Sequence, residues 1–223
     1  MSNDSIVKDS KYHVKRHDDR EVFDRDAVNA LLDSEYVAHV GFIDSEINEP
    51  FVIPMAYARD NDRILLHGST GSRLMMQLAK GAQMCVTITK LNAIIVAKSA
   101  FNSSMNYESV MIFGKGNRLE DSEKLAAMDL ITEVLVPGMV NYARPTAAKE
   151  AAGTMIIEVP IEKYSLKSRT GGVNDEPEDK ELPIWSGILP LRRAYGEAET
   201  APDSAGIAIP PHIEAKIGQN GQF

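Results

Sequence analysis

The hydrophobic pattern changes period several times along the chain. In DRDAVNALLDSE, Val28, Leu31 and Leu32 stand at helical spacing behind Asp24 or Asp26 as N-cap, which predicts a first helix. A β-rich middle follows. YVAHVGFID, FVIPMAYARD, RILLHGS, MCVTITKLNAIIVAK and SVMIFGKGNRL are β-branched and aromatic runs divided by Asp/Asn/Gly turns such as RDND. One helix, SRLMMQLAKG, interrupts them, with Leu74, Met75 and Leu78 on one face and Gly81 as its stop. A longer helix is expected over DSEKLAAMDLITEVLVPG, capped by Asp121 or Ser122, with an apolar stripe through Leu125, Met128 and Leu135 and an end at Pro137-Gly138. TMIIEVPIEKYSLKSR reads as a final strand. Short strands with two inserted helices favour an α+β architecture, a small β-barrel decorated by helices, over a doubly wound sheet.

Both ends lack this periodicity. Residues 1–20 read as a polar arm and 21–196 as the main domain. Within that domain the acidic, turn-rich TGGVNDEPEDKELPIW crosses the surface before WSGILPLRRAY packs back. Residues 197–223 read as an extended tail able to wrap a partner subunit.

Charge narrows the partners. With 24 Lys+Arg against 32 Asp+Glu the 223-residue chain carries a net charge of -8, so no global field draws it to nucleic acid or an anionic membrane. A bound phosphate needs a local cationic site. The single Cys85 forms no internal disulfide and reads as a core thiol. His13 and His17 stand i,i+4 but lack a completing carboxylate, so they read as solvated and no metal site is expected. There is no 18-residue apolar run, the first residues are polar, and a cytoplasmic protein is the expectation. No GxGxxG nicotinamide fingerprint occurs.

The candidate chemistry centres on HGSTGSR. Gly68 and Gly71 permit a tight turn, Ser69, Thr70 and Ser72 offer hydroxyls, and a helix starts near Ser72 beside the fixed charge of Arg73. Two readings stand at this point: an anion site whose natural guest is a phosphate, or a plain helix cap with Arg73 in solvent.

FVIPMAYARDNDRILLHGSTGSR, with SAFNSSMNYESVMIFGKG and the later WSGILPLR, resembles the flavin-binding split-barrel family related to pyridoxamine 5'-phosphate oxidase. The resemblance runs from about Asp24 to Arg192 and is nearest the branch of nitroimidazole-resistance proteins. It implies a six-stranded antiparallel split β-barrel with peripheral helices and a homodimer with FMN at the subunit interface. Backbone groups of Ile53, Pro54, Met55 and Ala56 would run beside the isoalloxazine. His67, Gly68 and Ser69 would lie near the ring and ribityl chain, and Ser72 and Arg73 on the phosphate. Better-known members have a lysine after that arginine, where this chain has Leu74, so Lys98 becomes a second candidate cation beside its reading as a surface strand residue. Asn106, Tyr107 and Ser109 would reach a flavin across the interface, and Trp185 would lie over it from the partner. Tyr107 and Trp185 also read as interface or core aromatics.

His67 is the candidate catalytic residue, since an imidazole suits proton delivery in flavin redox reactions, with contact to a ribityl hydroxyl as its other reading. His39, on an alternating strand, reads as a structural histidine. Arg192 and Arg193 lack the nearby histidine that completes the substrate-phosphate set of the true oxidases, which argues against vitamin B6 oxidation. The implied function is FMN-mediated redox of a small molecule, nitro-aromatic reduction included. The alternatives are a flavin-binding or sensing protein without turnover and a haem-binding split-barrel relative, although no axial-ligand arrangement is visible.

Overall fold

The Asp24 carboxylate accepts a hydrogen bond from the Asp26 amide at 3.0 Å, and helix α1 (Arg25–Ser34) starts there, burying Val28, Leu31 and Leu32. A computed structural model of the chain describes residues 12–14 and 17–218. Most of the expected arm therefore lies outside the described residues. Short β1 (Glu21–Val22) precedes α1; after it come β2 (Val37–Ile43), β3 (Pro50–Asp60), β4 (Arg63–Ser69), α2 (Arg73–Ala79), β5 (Gln83–Val96), β6 (Ser104–Lys115) and β7 (Asn117–Arg118). Helices α3 (Asp121–Leu135), α4 (Met139–Tyr142) and α5 (Ala148–Gly153) lead to β8 (Thr154–Pro160) and β9 (Lys163–Arg169), then β10 (Gly187–Pro190) and α6 (Pro211–Glu214).

All strand pairs are antiparallel, in the order β1-β9-β6-β5-β2-β3-β4-β8-β7, with β10 added to β5. The mixed helix and sheet architecture agrees with expectation, but the strand count does not. Among the described residues there are ten strands rather than six, and the hydrogen-bonded path has two ends instead of closing. Three of the ten, β1, β7 and β10, are short additions to longer strands. A further one arises because the expected last strand splits in two, where the Ile161 amide turns to the Asp62 carbonyl.

Strand β4 shows why RILL lacks alternation. Ile64 and Leu66 join the main core with Val40, Val86 and Ile112, whereas Leu65 packs with Ala58, Ile156, Ala127 and Ile131 under α3. A strand covered on both faces reads as a continuous apolar run. Helix α3 departs from the predicted stripe: Leu125 is 50% exposed while Lys124, Ala127 and Ile131 are buried. Its first residue is Asp121, after Glu120, and no side chain caps it. The Lys124 ammonium is held by Asp121 at 2.7 Å and the Ala151 carbonyl at 3.3 Å.

Helix α3 covers only part of the outer sheet face. Across β3, β2, β5 and β6, Pro54, His39, Thr87 and Met111 lie in one register row. On that face Val52 is 66%, Ile43 51%, Val37 47% and Met111 38% exposed. No helix among the described residues is long and apolar enough to cross a membrane.

Candidate functional site

The β4–α2 loop forms because β4 leaves β3 and continues on β8. The β3–β4 pairing ends at Tyr57 and Leu66, while β4 stays paired with β8 out to Ser69 and Thr154. Residues Ile53 to Ala56 therefore pair with β2 on one side and have an open backbone edge on the other, where Pro54 has no amide to offer. Ile53 and Met55 turn their side chains to the core, so only their backbone faces that edge.

The loop consumes most of its own donors. The Thr70 amide donates to the Gly153 carbonyl (2.9 Å), the Ser72 amide to the Ser69 carbonyl (2.9 Å) and the Gly71 amide to Ser69 Oγ (3.2 Å). Ser72 Oγ accepts from the Met75 amide at 3.5 Å, as an N-cap does. Four amides of this stretch, those of Thr70, Gly71, Ser72 and Met75, are thus occupied, and the half-exposed Arg73 guanidinium is its fixed positive charge. Gly68 is required by packing: a Cβ there would sit 2.7 Å from Met75 Cγ.

Arg73 is held from two directions. Its Nε donates to Asp44 Oδ2 at 2.5 Å, and its guanidinium carbon lies 5.1 Å from the Phe51 ring centroid. Asp44 has no exposed side-chain surface, whereas Arg73 is 49% exposed. The Arg73 hydrogen bond draws the Asp44 carboxyl below its ordinary range, helped by the Glu46 and Ile47 amides, and Asp44 in turn raises Arg73. Beside this pair, Ser45 Oγ donates to the buried Gln77 of α2 at 2.7 Å. Asp44 is the participant that sequence reasoning missed: an Asp after VGFI marks a turn, and nothing in the chain pairs it with an arginine 29 positions on.

His67 pairs through its backbone with Ile156, and its Nδ1 is buried without a hydrogen-bond partner. Burial pushes its pKa below the ordinary value, which keeps the imidazole neutral. Among the described residues His212 Nε2 is the other buried ring nitrogen without a partner; its ring lies against Gly138 and 5.2 Å from the Tyr142 ring. His39, expected to be structural, is exposed on the outer face.

The remaining candidates gather at the far end of the β5–β6 hairpin. Asn106 pairs in register with Ala93; its Oδ1 accepts from Arg169 at 2.6 Å and its Nδ2 donates to the Gly171 carbonyl at 2.9 Å. Ser109 Oγ lies 3.0 Å from Thr89 Oγ1, and Tyr107 sits in register between Leu91 and Arg169. The Lys98 ammonium is engaged by the Lys180 and Leu182 carbonyls, which tethers the acidic segment. Trp185 is 63% exposed just before β10. Nearby, Arg193 pairs with Glu35 at 2.5 Å beside a cavity of about 370 Å³ that Lys90 and Arg192 also line. Among the described residues, no hydrogen bond or ion pair joins the Lys98–Asn106–Ser109–Trp185 group to the Arg73 group.

A sequence profile described as pyridoxamine 5'-phosphate oxidase matches residues 24–168, from the cap of α1 through nearly all of β9. The chain belongs to the pyridoxamine 5'-phosphate oxidase family. Two solved structures are similar almost end to end. One is the FAD- and haem-binding protein from Mycobacterium smegmatis: 33% identity over 89% of this chain and 98% of that one, TM-score 0.85. The other is the flavocytochrome Anf3 from Azotobacter vinelandii: 31% identity over 95% and 99%, TM-score 0.87. A 5-nitroimidazole antibiotic resistance protein assigned in Bacteroides thetaiotaomicron shares the fold at 22% identity, over 66% of this chain and 85% of that one, with a TM-score of 0.52. No curated protein matches the chain. The two full-length likenesses extend past the 24–168 match into the segment that carries Trp185 and the tail.

Proposed function

We propose that this member of the pyridoxamine 5'-phosphate oxidase family is a homodimeric flavin-dependent redox protein that also takes haem. The observation that carries the reading is its likeness, over nearly the whole chain, to a FAD- and haem-binding protein and to a flavocytochrome. These neighbours favour FAD over the FMN that the family resemblance implies. They also raise haem from the last of the sequence readings to a second cofactor.

The residues present suit both groups. The outward edge of the Arg73 guanidinium is a donor for a flavin phosphate, and the open backbone edge of Ile53–Ala56 offers hydrogen bonds to the polar rim of the ring. His67 is a neutral imidazole beside that edge with Nδ1 unpartnered, able to bond a ribityl hydroxyl or hold a proton. His67 and His212, each with a buried and unpartnered ring nitrogen, are the imidazoles from which an iron ligand would come. When bound, flavin supplies two-electron chemistry and haem one-electron chemistry, while the protein orients both and limits access. The reaction class is reduction or oxidation of a small molecule.

The homodimer is supported by the uncovered outer face of β3, β2, β5 and β6, whose exposed Val52, Ile43, Val37 and Met111 are an apolar surface of the kind that partners bury. A second copy would also bring the Asn106–Ser109–Trp185 group into a site that one chain leaves one-sided.

The test is an absorbance spectrum after incubation with FAD, FMN or haemin and desalting, followed by anaerobic NAD(P)H. The expected result is retained flavin bands near roughly 370 and 450 nm, a Soret band with haemin, and bleaching on reduction. No retained flavin overturns the reading. Retained flavin that no donor reduces leaves a binding or sensing protein. A monomer that holds flavin tightly removes the dimer.

A further inference from the structure

Asp44 is costly where it stands. A carboxylate with no exposed surface keeps its charge only through its bonds, here the Glu46 amide at 2.9 Å, the Ile47 amide at 3.3 Å and Arg73 Nε at 2.5 Å. The two amide bonds alone would form the turn between β2 and β3, and an asparagine could accept both. What demands the charge is Arg73.

The contact is made at Nε rather than at the terminal nitrogens. A guanidinium fixed at Nε, with its face over Phe51, has its plane and direction determined while its outer edge remains free. That outer edge is the one that forks onto two oxygens of a phosphate. The Thr70, Gly71 and Ser72 amides are spent within the fold, which leaves the guanidinium as the fixed positive charge that HGSTGSR offers an anion. Leu74, at 4% exposure, adds no cation.

We infer that Asp44, with Phe51, is a positioning residue that pre-orients Arg73 to bind the phosphate of the flavin, so that a buried negative charge strengthens the binding of an anion. This rests on the flavin reading above and deepens it. A bystander carboxylate predicts the opposite sign, because removing a negative charge near a phosphate tightens phosphate binding.

The experiment measures dissociation constants of FAD, FMN and riboflavin for the full chain, Asp44→Asn, Arg73→Ala and the double variant, by flavin fluorescence. Riboflavin lacks the phosphate and reports the rest of the pocket. Arg73→Ala is expected to weaken FAD and FMN by roughly 10- to 100-fold and to spare riboflavin. Asp44→Asn is expected to weaken FAD and FMN by roughly 3- to 10-fold, to spare riboflavin, and to add nothing once Arg73 is gone. Phe51→Leu removes the ring but keeps the carboxylate, and is expected to act in the same direction; it carries the test if Asp44→Asn does not fold.

Tighter or unchanged FMN binding in Asp44→Asn, or an equal loss for riboflavin, overturns the inference. If Arg73→Ala still loses FMN selectively, the phosphate placement survives that failure. If Arg73→Ala leaves FMN and riboflavin equally bound, the placement of the phosphate fails and the inference with it.

Discussion

The Tyr57 hydroxyl donates to the Leu32 carbonyl at 2.6 Å, wholly inside the core, and so ties the last turn of α1 to the point where β3 meets β4. Burial holds the phenol well above its ordinary pKa, so it remains a donor at every ordinary pH. Tyr57→Phe leaves a buried carbonyl without its partner. The expected loss is about 1–3 kcal/mol, read from the urea midpoint at unchanged slope. A midpoint within error of the wild type would show that water or a rearranged helix end replaces the bond.

The neutral, half-buried His67 makes stability depend on pH. Its folded-state pKa lies below the ordinary value of about 6.5, so between the two the unfolded chain binds a proton that the folded chain refuses. This contribution is complete above roughly pH 6.5 and is lost as pH falls through the folded value. His67→Gln should therefore lose less stability than the wild type between pH 7.5 and pH 5.5, measured by urea denaturation at each pH. Equal losses would contradict the assignment.

Helix α3 offers a comparison that inverts its sequence pattern. Ile131 is 4% exposed against β4 and β8, and Ile131→Ala should cost about 2–5 kcal/mol. Leu125, at 50% exposure, should tolerate Leu125→Ala within about 0.5 kcal/mol. Thermal melts of the two variants decide it, and a similar loss in both would mean that Leu125 is covered in solution.

Trp185 and Gly187 are fitted to each other. A Cβ on residue 187 would lie 2.7 Å from Trp185 Cζ2 and 3.0 Å from Cη2, so Gly187→Ala must displace the indole. Trp185 is the only tryptophan, and its emission maximum and acrylamide quenching should both change in the variant. Unaltered emission would place the ring elsewhere.

The elements that local chemistry governs were legible from the chain. Asp24 and Ser72 cap their helices as polar N-caps do, Gly81 ends α2 with φ +81°, and the alternation in β2 and β5 places Ala38, Val40 and Phe42, and Met84, Val86 and Ile88, inside. The flavin-family motifs name Arg73 and His67 as candidates, because residue type and order survive in one dimension. Local signals did not reach the strand count, since β1, β7 and β10 exist only where longer strands offer them an edge. They also misplaced Leu125, because the face α3 buries is chosen by the second core on β4 and β8. At the candidate site the residue types were readable from the sequence, while the partners were set by tertiary structure. Asp44 and Phe51 meet Arg73 only because the β2–β3 turn folds against the start of α2, and the direction in which that cation points follows from this contact.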